Sequence, residues 1–198
     1  MPEYRHQEEL EIHHLEGLTN PSTLIAFIGA TFGVLNFAAA ELPVTTSSIF
    51  TIGLIKMLLG SIYFIAALIN LMKGNISGNI NLIFAVCFGL FSGSNTFINL
   101  ISGDLQIEFQ PSVYGWLQIA GAVYIGLVWP VMRRVPMYQW IAYILSDIGL
   151  FLFGVRDVTG NQLWFFIGGW FFLAYTFLSC YMGLSAILPG LPQGKLRK

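Results

Sequence analysis

Two ionisable side chains stand inside long apolar runs of this sequence, and each would need a reason to be there. Lys56 lies about six residues from one end of the second run, and Asp147 about eight from the corresponding end of the fifth. An isolated charge at such depth costs several kcal/mol, so each should face the protein interior, a partner or water. At 1.5 Å per residue their depths differ by only about 3–5 Å, within reach of a Lys56–Asp147 contact. They read as charged elements on a solute or proton path. The plainer alternative is that Lys56 snorkels to the surface and Asp147 joins a local polar cluster.

Uncharged polar residues gather in three of the same runs. Thr31 and Asn36 lie in the first, and Ser92, Ser94, Asn95 and Asn99 in the third. Tyr175, Thr176, Ser179 and Tyr181 lie in the sixth. Asn95 and Asn99, four apart, share a helix face. As a group they suit the lining of a narrow polar route without net charge. Taken singly, each is the kind of residue that hydrogen-bonds between helices in membranes.

The elements that must position these residues are six apolar runs in 198 residues. Hydrophobic residues make up 56% and charged residues 10%, against about 25% charged in a soluble domain. Mean hydropathy is +0.71. A run of about 20 apolar residues crosses the hydrocarbon core of a bilayer. The pattern predicts an all-α polytopic membrane protein with helices at roughly 23–40, 50–72, 79–102, 113–132, 136–155 and 162–188. Asn20-Pro21 supplies a cap and a first-turn proline for the first. Residues 1–20 are expected to form a cytoplasmic segment, 21–188 the six-helix domain, and 189–198 a cytoplasmic tail. The polar start lacks the features of a cleavable signal, so the first helix is expected to direct insertion.

Basic residues orient the chain. With six crossings Arg5, Lys73, Arg133, Arg134, Lys195, Arg197 and Lys198 share one side and Arg156 alone takes the other. Both termini are therefore expected in the cytoplasm, with the protein multi-pass in the cell membrane. Tyr114, Trp116, Tyr138, Trp140 and Trp164 read as an interfacial aromatic belt.

Other chemistry is thin. Cys87 and Cys180 fall deep in apolar runs and read as small core residues. His6, His13 and His14 belong to a solvated segment rather than a metal site. No phosphate loop, HExxH motif, GxSxG elbow or nucleophile–base pair is present, so no catalytic residue, cofactor or metal is expected. The net charge of −1 gives no sign of a nucleic-acid partner. Gly29 with Gly33, and Gly89 with Gly93, have the spacing of close helix packing, within the bundle or between subunits.

Several landmarks together resemble the acetate uptake transporter family, the bacterial succinate–acetate permeases and their yeast relatives. Asn20-Pro21-Ser22-Thr23-Leu24 is similar to the start of the family's N-P-A-P-L-G-L signature. It matches at Asn20, Pro21 and Leu24, with Thr23 in place of the second proline and Ile25 in place of the glycine. Lys73-Gly74-Asn75 with Gly78 resembles K-G-N-x-x-G after the second helix, and Cys87-Phe88-Gly89 resembles S-Y-G in the third. Gly160-Asn161, Gly169-Trp170 and Tyr181 follow the family's pattern across the sixth. The resemblance spans residues 20–188.

It implies six-helix protomers assembled as hexamers, with one solute path in each. That path carries acetate, and often succinate or other small monocarboxylates, usually with protons. It also implies an apolar constriction from the first, third and fifth helices. By position its members are Phe27, Phe88 and Leu145. With the polar residues and Asp147 read above from their own types and places, the expected path is lined by Asn36, Phe88, Ser92, Asn95, Asn99, Leu145, Asp147 and Tyr181. Phe88 replaces a tyrosine and so lacks a hydroxyl. An ionised Asp147 beside the constriction would repel a carboxylate, whereas a protonated one would suit proton coupling. The reading is thus a proton-linked permease or anion channel for small carboxylates. A urea or short-amide channel, and a membrane scaffold or sensor that transports nothing, are its rivals.

Overall fold

The computed structural model describes residues 20–43, 45–75, 77–105, 111–130, 132, 135–188 and 191. Among them the secondary structure is helical. In chain order the helices are α1 (Pro21–Glu41), α2 (Thr46–Met72), α3 (residues 77–105), α4 (Pro111–Val128), α5 (Met137–Thr159) and α6 (Gln162–Ile187).

Their ends follow from local chemistry. Asn20 caps α1, its Oδ1 accepting from the Ser22 amide at 2.9 Å, and Pro21 fills the first helical position. Thr45 caps α2 through the Ser48 amide, so that helix begins at Thr46 rather than near residue 50. At its other end Gly74 takes φ +75°, which glycine adopts freely. α4 stops at Val128, four residues before the expected 132, ahead of Pro130, which disfavours helix in the residue before it. α5 continues to Thr159, four residues past the expected 155. The helix runs on through Arg156 and Asp157. Gly160 at φ +71° stops it instead.

α3 is not uniform. Ser77–Phe84 and Ser92–Leu105 are α-helical, but Ala85–Phe91 between them forms a wider π-helix. π segments inside α-helices are rare and often mark functional positions. Phe88 lies at the middle of this one.

The principal packing runs around a closed ring, α1–α2–α3–α4–α5–α6 and back to α1. Two glycine seams draw it tight. A Cβ added at Gly89 would lie 2.3 Å from the Gly60 Cα, so α2 and α3 touch backbone to backbone. A Cβ at Gly29 or Gly33 would strike Tyr175 or Thr176 of α6. Both glycine pairs picked out by spacing therefore face neighbours within the chain. Ser179 donates to the Ala26 carbonyl at 2.8 Å and Thr176 to the Ala30 carbonyl at 3.3 Å, so these α6 hydroxyls bind α1 to α6.

Among the described residues four helices are long and apolar enough to cross a bilayer: Pro21–Glu41, Ser48–Met72, Ser77–Ile98 and Gln162–Ile187. The apolar helix Ser112–Val128 is shorter, and α5 carries Asp147, Arg156 and Asp157. Large apolar side chains such as Leu58, Leu127, Trp170 and Phe177 face outward. The chain is a multi-pass membrane protein.

Candidate functional site

Two cavities lie at opposite ends of the ring, separated by aromatic side chains. Four helices carry this same order along their length. On α1, Ser22 and Thr23 line one cavity, Phe32 is buried between, and Asn36 lines the other. On α5 the order is Gln139, Tyr143, then Phe153 with Arg156 and Asp157. On α6 it is Ser185, Phe172 and Phe165. The α3 side runs from Asn75, just before the helix, through Phe84 and Phe88 to Ser92, Asn95 and Thr96. Thr23 and Asn36 are about 20 Å apart along α1 at 1.5 Å per residue, which sets the thickness of the partition.

The larger cavity, about 450 Å³, lies at the end holding the connections after α1, α3 and α5. It is called the first cavity below. Lys56 is buried there at 6% exposure. Its Nζ donates to Asn36 Oδ1 at 2.7 Å and to Ser92 Oγ at 3.2 Å. Both partners are neutral. Among the described residues the only ion pair joins Arg156 to its neighbour Asp157. The Arg156 guanidinium also sits 4.8 Å from the centre of the Phe165 ring. The charge of Arg156 is thus balanced within the cavity wall; Lys56 feels the field of Asp157 across the cavity but has no carboxylate within ion-pairing distance, so the three groups together leave one net positive charge.

Three further polar atoms around this cavity are buried without a hydrogen-bond partner: Asn36 Nδ2, Asn95 Oδ1 and Gln118 Oε1. Tyr114 also lines it and donates to the Cys87 carbonyl at 3.0 Å, within the π segment. A distorted helical ladder is the place where a carbonyl needs a donor from outside its own helix.

The partition is a chain of rings. Phe88 stacks on Phe84 at 5.4 Å, and Phe84 on Tyr143 at 6.3 Å. Phe88 meets Phe172 edge to face at 4.9 Å, and Phe172 meets Phe153 at 4.9 Å. Tyr63 and Phe32 pack beside them at 5.8 Å, the Tyr63 hydroxyl donating to Asn81 Oδ1. Such offset and edge-on geometries are favourable beyond the area they bury.

The second cavity, about 240 Å³, is lined by Ser22, Thr23, Asn75, Tyr138, Gln139, Met182, Ser185 and Ala186, none of them charged. Gln139 Nε2 donates to the Tyr143 hydroxyl at 3.2 Å, linking this cavity to the partition.

The residues expected on the path divide accordingly. Asn36, Phe88, Ser92 and Asn95 come together around the first cavity. Tyr181 packs edge to face on Tyr138 at 5.3 Å, behind the wall of the second. The Asn99 side chain lies outside the described residues, as do His6, His13 and His14. Asn20 is a helix cap and Leu24 is exposed, so these motif positions shape the entry to α1.

The fifth-helix residues fall elsewhere, for a helical reason. The inward stripe of α5 runs Gln139, Tyr143, Ser146, Leu150, Phe153, Asp157, alternating steps of four and three. Leu145 and Asp147 lie about 100° to either side of Ser146. Leu145 is half-buried against the flank of the core. Asp147 is buried near Gly126 of α4, its Oδ1 without a hydrogen-bond partner. Neither lines either of these two cavities, and no Lys56–Asp147 ion pair forms. Phe27 is 37% exposed, its ring over Gly183 of α6, away from the partition.

Several site residues had no clear signal in the sequence. Gln118 is one polar residue in an apolar helix. Tyr114 read as belt, yet it faces the cavity. Phe84, Tyr143, Phe153 and Phe172 are indistinguishable by type from lipid-facing aromatics such as Phe177. Among the described residues no three His, Cys, Asp or Glu side chains stand together as metal ligands.

No family model matches the chain, and no curated protein does. Among solved structures, that of the bacterial acetate channel SatP is similar, with a TM-score of 0.67 at 15% identity. The likeness covers 85% of this chain and 92% of that one. The two share a fold. The structural likeness and the motif resemblance, drawn from different features, lead in the same direction.

Proposed function

We propose that this protein conducts small monocarboxylates, acetate among them, across a cell membrane through the centre of the helix ring. In this reading all six helices cross, with both termini in the cytoplasm, the first cavity outside and the second inside. The observation that carries it is Lys56, a buried ammonium held by two neutral oxygens in a cavity with room for a solute. A buried cation is costly unless an anion accompanies it. A mobile carboxylate supplies that charge, through hydrogen bonds about twice as strong as neutral ones. Urea, having no charge, gains no such stabilisation, so the site favours an anion over a short amide. A scaffold would have no use for a buried cation beside a solute-sized cavity.

The aromatic partition then acts as a hydrophobic constriction that holds back water and ions. An apolar layer passes a neutral acid far more easily than its anion. Proton-linked passage follows, with Lys56 collecting the anion before it crosses as the acid. A dianion such as succinate meets one unbalanced cation and should move more slowly than acetate. The homo-oligomer, a hexamer by family resemblance, is part of the proposal and is checked by the mass of the purified protein.

The deciding experiment is uptake of labelled acetate, succinate and urea into proteoliposomes, with and without an inward proton gradient. Saturable acetate uptake, faster with the gradient, is expected, with urea at the level of empty liposomes. Urea uptake without acetate uptake would overturn the proposal.

A further inference from the structure

We propose that the preferred solute of the first cavity is a short hydroxy-monocarboxylate of the glycolate type, rather than a simple fatty acid anion. This rests on the reading of that cavity as an anion site. The argument comes from its unpartnered atoms, which carry both hydrogen-bonding signs.

On the donor side, Lys56 has three N–H groups and spends two, on Asn36 Oδ1 and Ser92 Oγ. The Asn36 amide is fixed in orientation, because its oxygen faces an ammonium that can only donate. Its Nδ2 is therefore a donor, and it has no partner although Asn36 is 1% exposed. One N–H of Lys56 and one of Asn36 suit the two oxygens of a carboxylate.

On the acceptor side stand Gln118 Oε1, on a side chain 3% exposed, and Asn95 Oδ1. An ionised carboxylate has no hydrogen to offer them. A solute that carries only a carboxylate and methyl groups would leave both buried acceptors unmatched. A hydroxyl next to the carboxylate supplies a donor to one of them. A cavity of about 450 Å³ has ample room for the added group. Sites built to hydrogen-bond a substrate hydroxyl discriminate strongly against the analogue that lacks it.

The test compares glycolate with propionate, which differ by OH against CH₃ at nearly equal size. Both compete against labelled acetate uptake in proteoliposomes at a pH where both are ionised. Glycolate is expected to inhibit at a concentration about tenfold lower than propionate or more. In Gln118→Met or in Asn95→Leu, whichever removes the acceptor that the hydroxyl uses, that ratio should fall toward one. Equal inhibition in the wild type would overturn the inference, the acceptors then being served by water alone. An unchanged ratio in both variants would overturn it too. Should one variant fail to fold, the wild-type ratio still decides. If acetate is carried and depends on Lys56 but glycolate has no advantage, only this inference fails. If no carboxylate is carried, the transport reading fails with it.

Discussion

The two cavities differ in charge more than in size. The first holds Lys56, Arg156 and Asp157, while the second is lined by hydroxyls, amides and apolar groups. The same ring of helices builds both, so the asymmetry is a matter of which residues each helix carries near each end. On the proposed transport reading, the site with net positive charge captures the anion and the neutral polar site lets it go. A path with binding concentrated at one end and little at the other avoids trapping its solute on the way out.

That contrast can be broken most directly at Lys56. Lys56→Met removes the cation, and acetate uptake should fall about ten- to a hundredfold, the worth of one charged hydrogen bond. Uptake within twofold of the wild type would remove Lys56 from the path.

A smaller effect is expected at the balanced pair. Arg156→Gln leaves the Asp157 carboxylate to offset the charge of Lys56 in the cavity, and anion uptake should fall by about fivefold. Adding Asp157→Asn should restore most of it. Failure of the second change to rescue the first would show that Arg156 acts through packing on Phe165 instead.

Next comes the partition. Phe88→Ala opens the ring stack where Phe84, Phe88 and Phe172 meet, and should raise urea leak about threefold and lower selectivity. Size-exclusion chromatography checks the fold, since removal of a buried phenylalanine costs about 3–5 kcal/mol. A tight, selective variant would place the barrier elsewhere.

The smallest change belongs to the second cavity. Gln139→Leu loses one neutral hydrogen bond, to Tyr143, of about 1 kcal/mol. Acetate uptake should shift less than twofold. A loss as large as that of Lys56→Met would abolish the distinction between the ends.

Much of the architecture was readable in advance because membrane solvent imposes a simple rule. Backbone groups in hydrocarbon must bond within their own segment, so long apolar runs become helices. Asn20-Pro21 marked the start of α1, and the glycine spacings marked faces of close packing, within the bundle or between subunits. The site was half readable. Asn36, Ser92 and Asn95 were picked out because a polar residue in an apolar run must have a reason. Leu145 was expected on the path by alignment of position and Asp147 as a carboxyl inside an apolar run, and a single residue of offset turns a side chain by about 100°. Phe27 shows the same sensitivity. The aromatic partition left no signal, since a ring facing the core and a ring facing lipid have the same composition.

The residues alone determined that this chain enters a membrane as helices, because length and apolarity decide that segment by segment. They also determined that Lys56 must find shelter, because hydrocarbon does not tolerate a bare ammonium. Only the tertiary structure decided what shelters it, because Asn36 and Ser92 are 20 and 36 residues away in sequence and meet Lys56 across two helix seams. It likewise decided that Asp147 turns toward α4, since rotation about a helix axis is set by packing against neighbours and not by the helix itself.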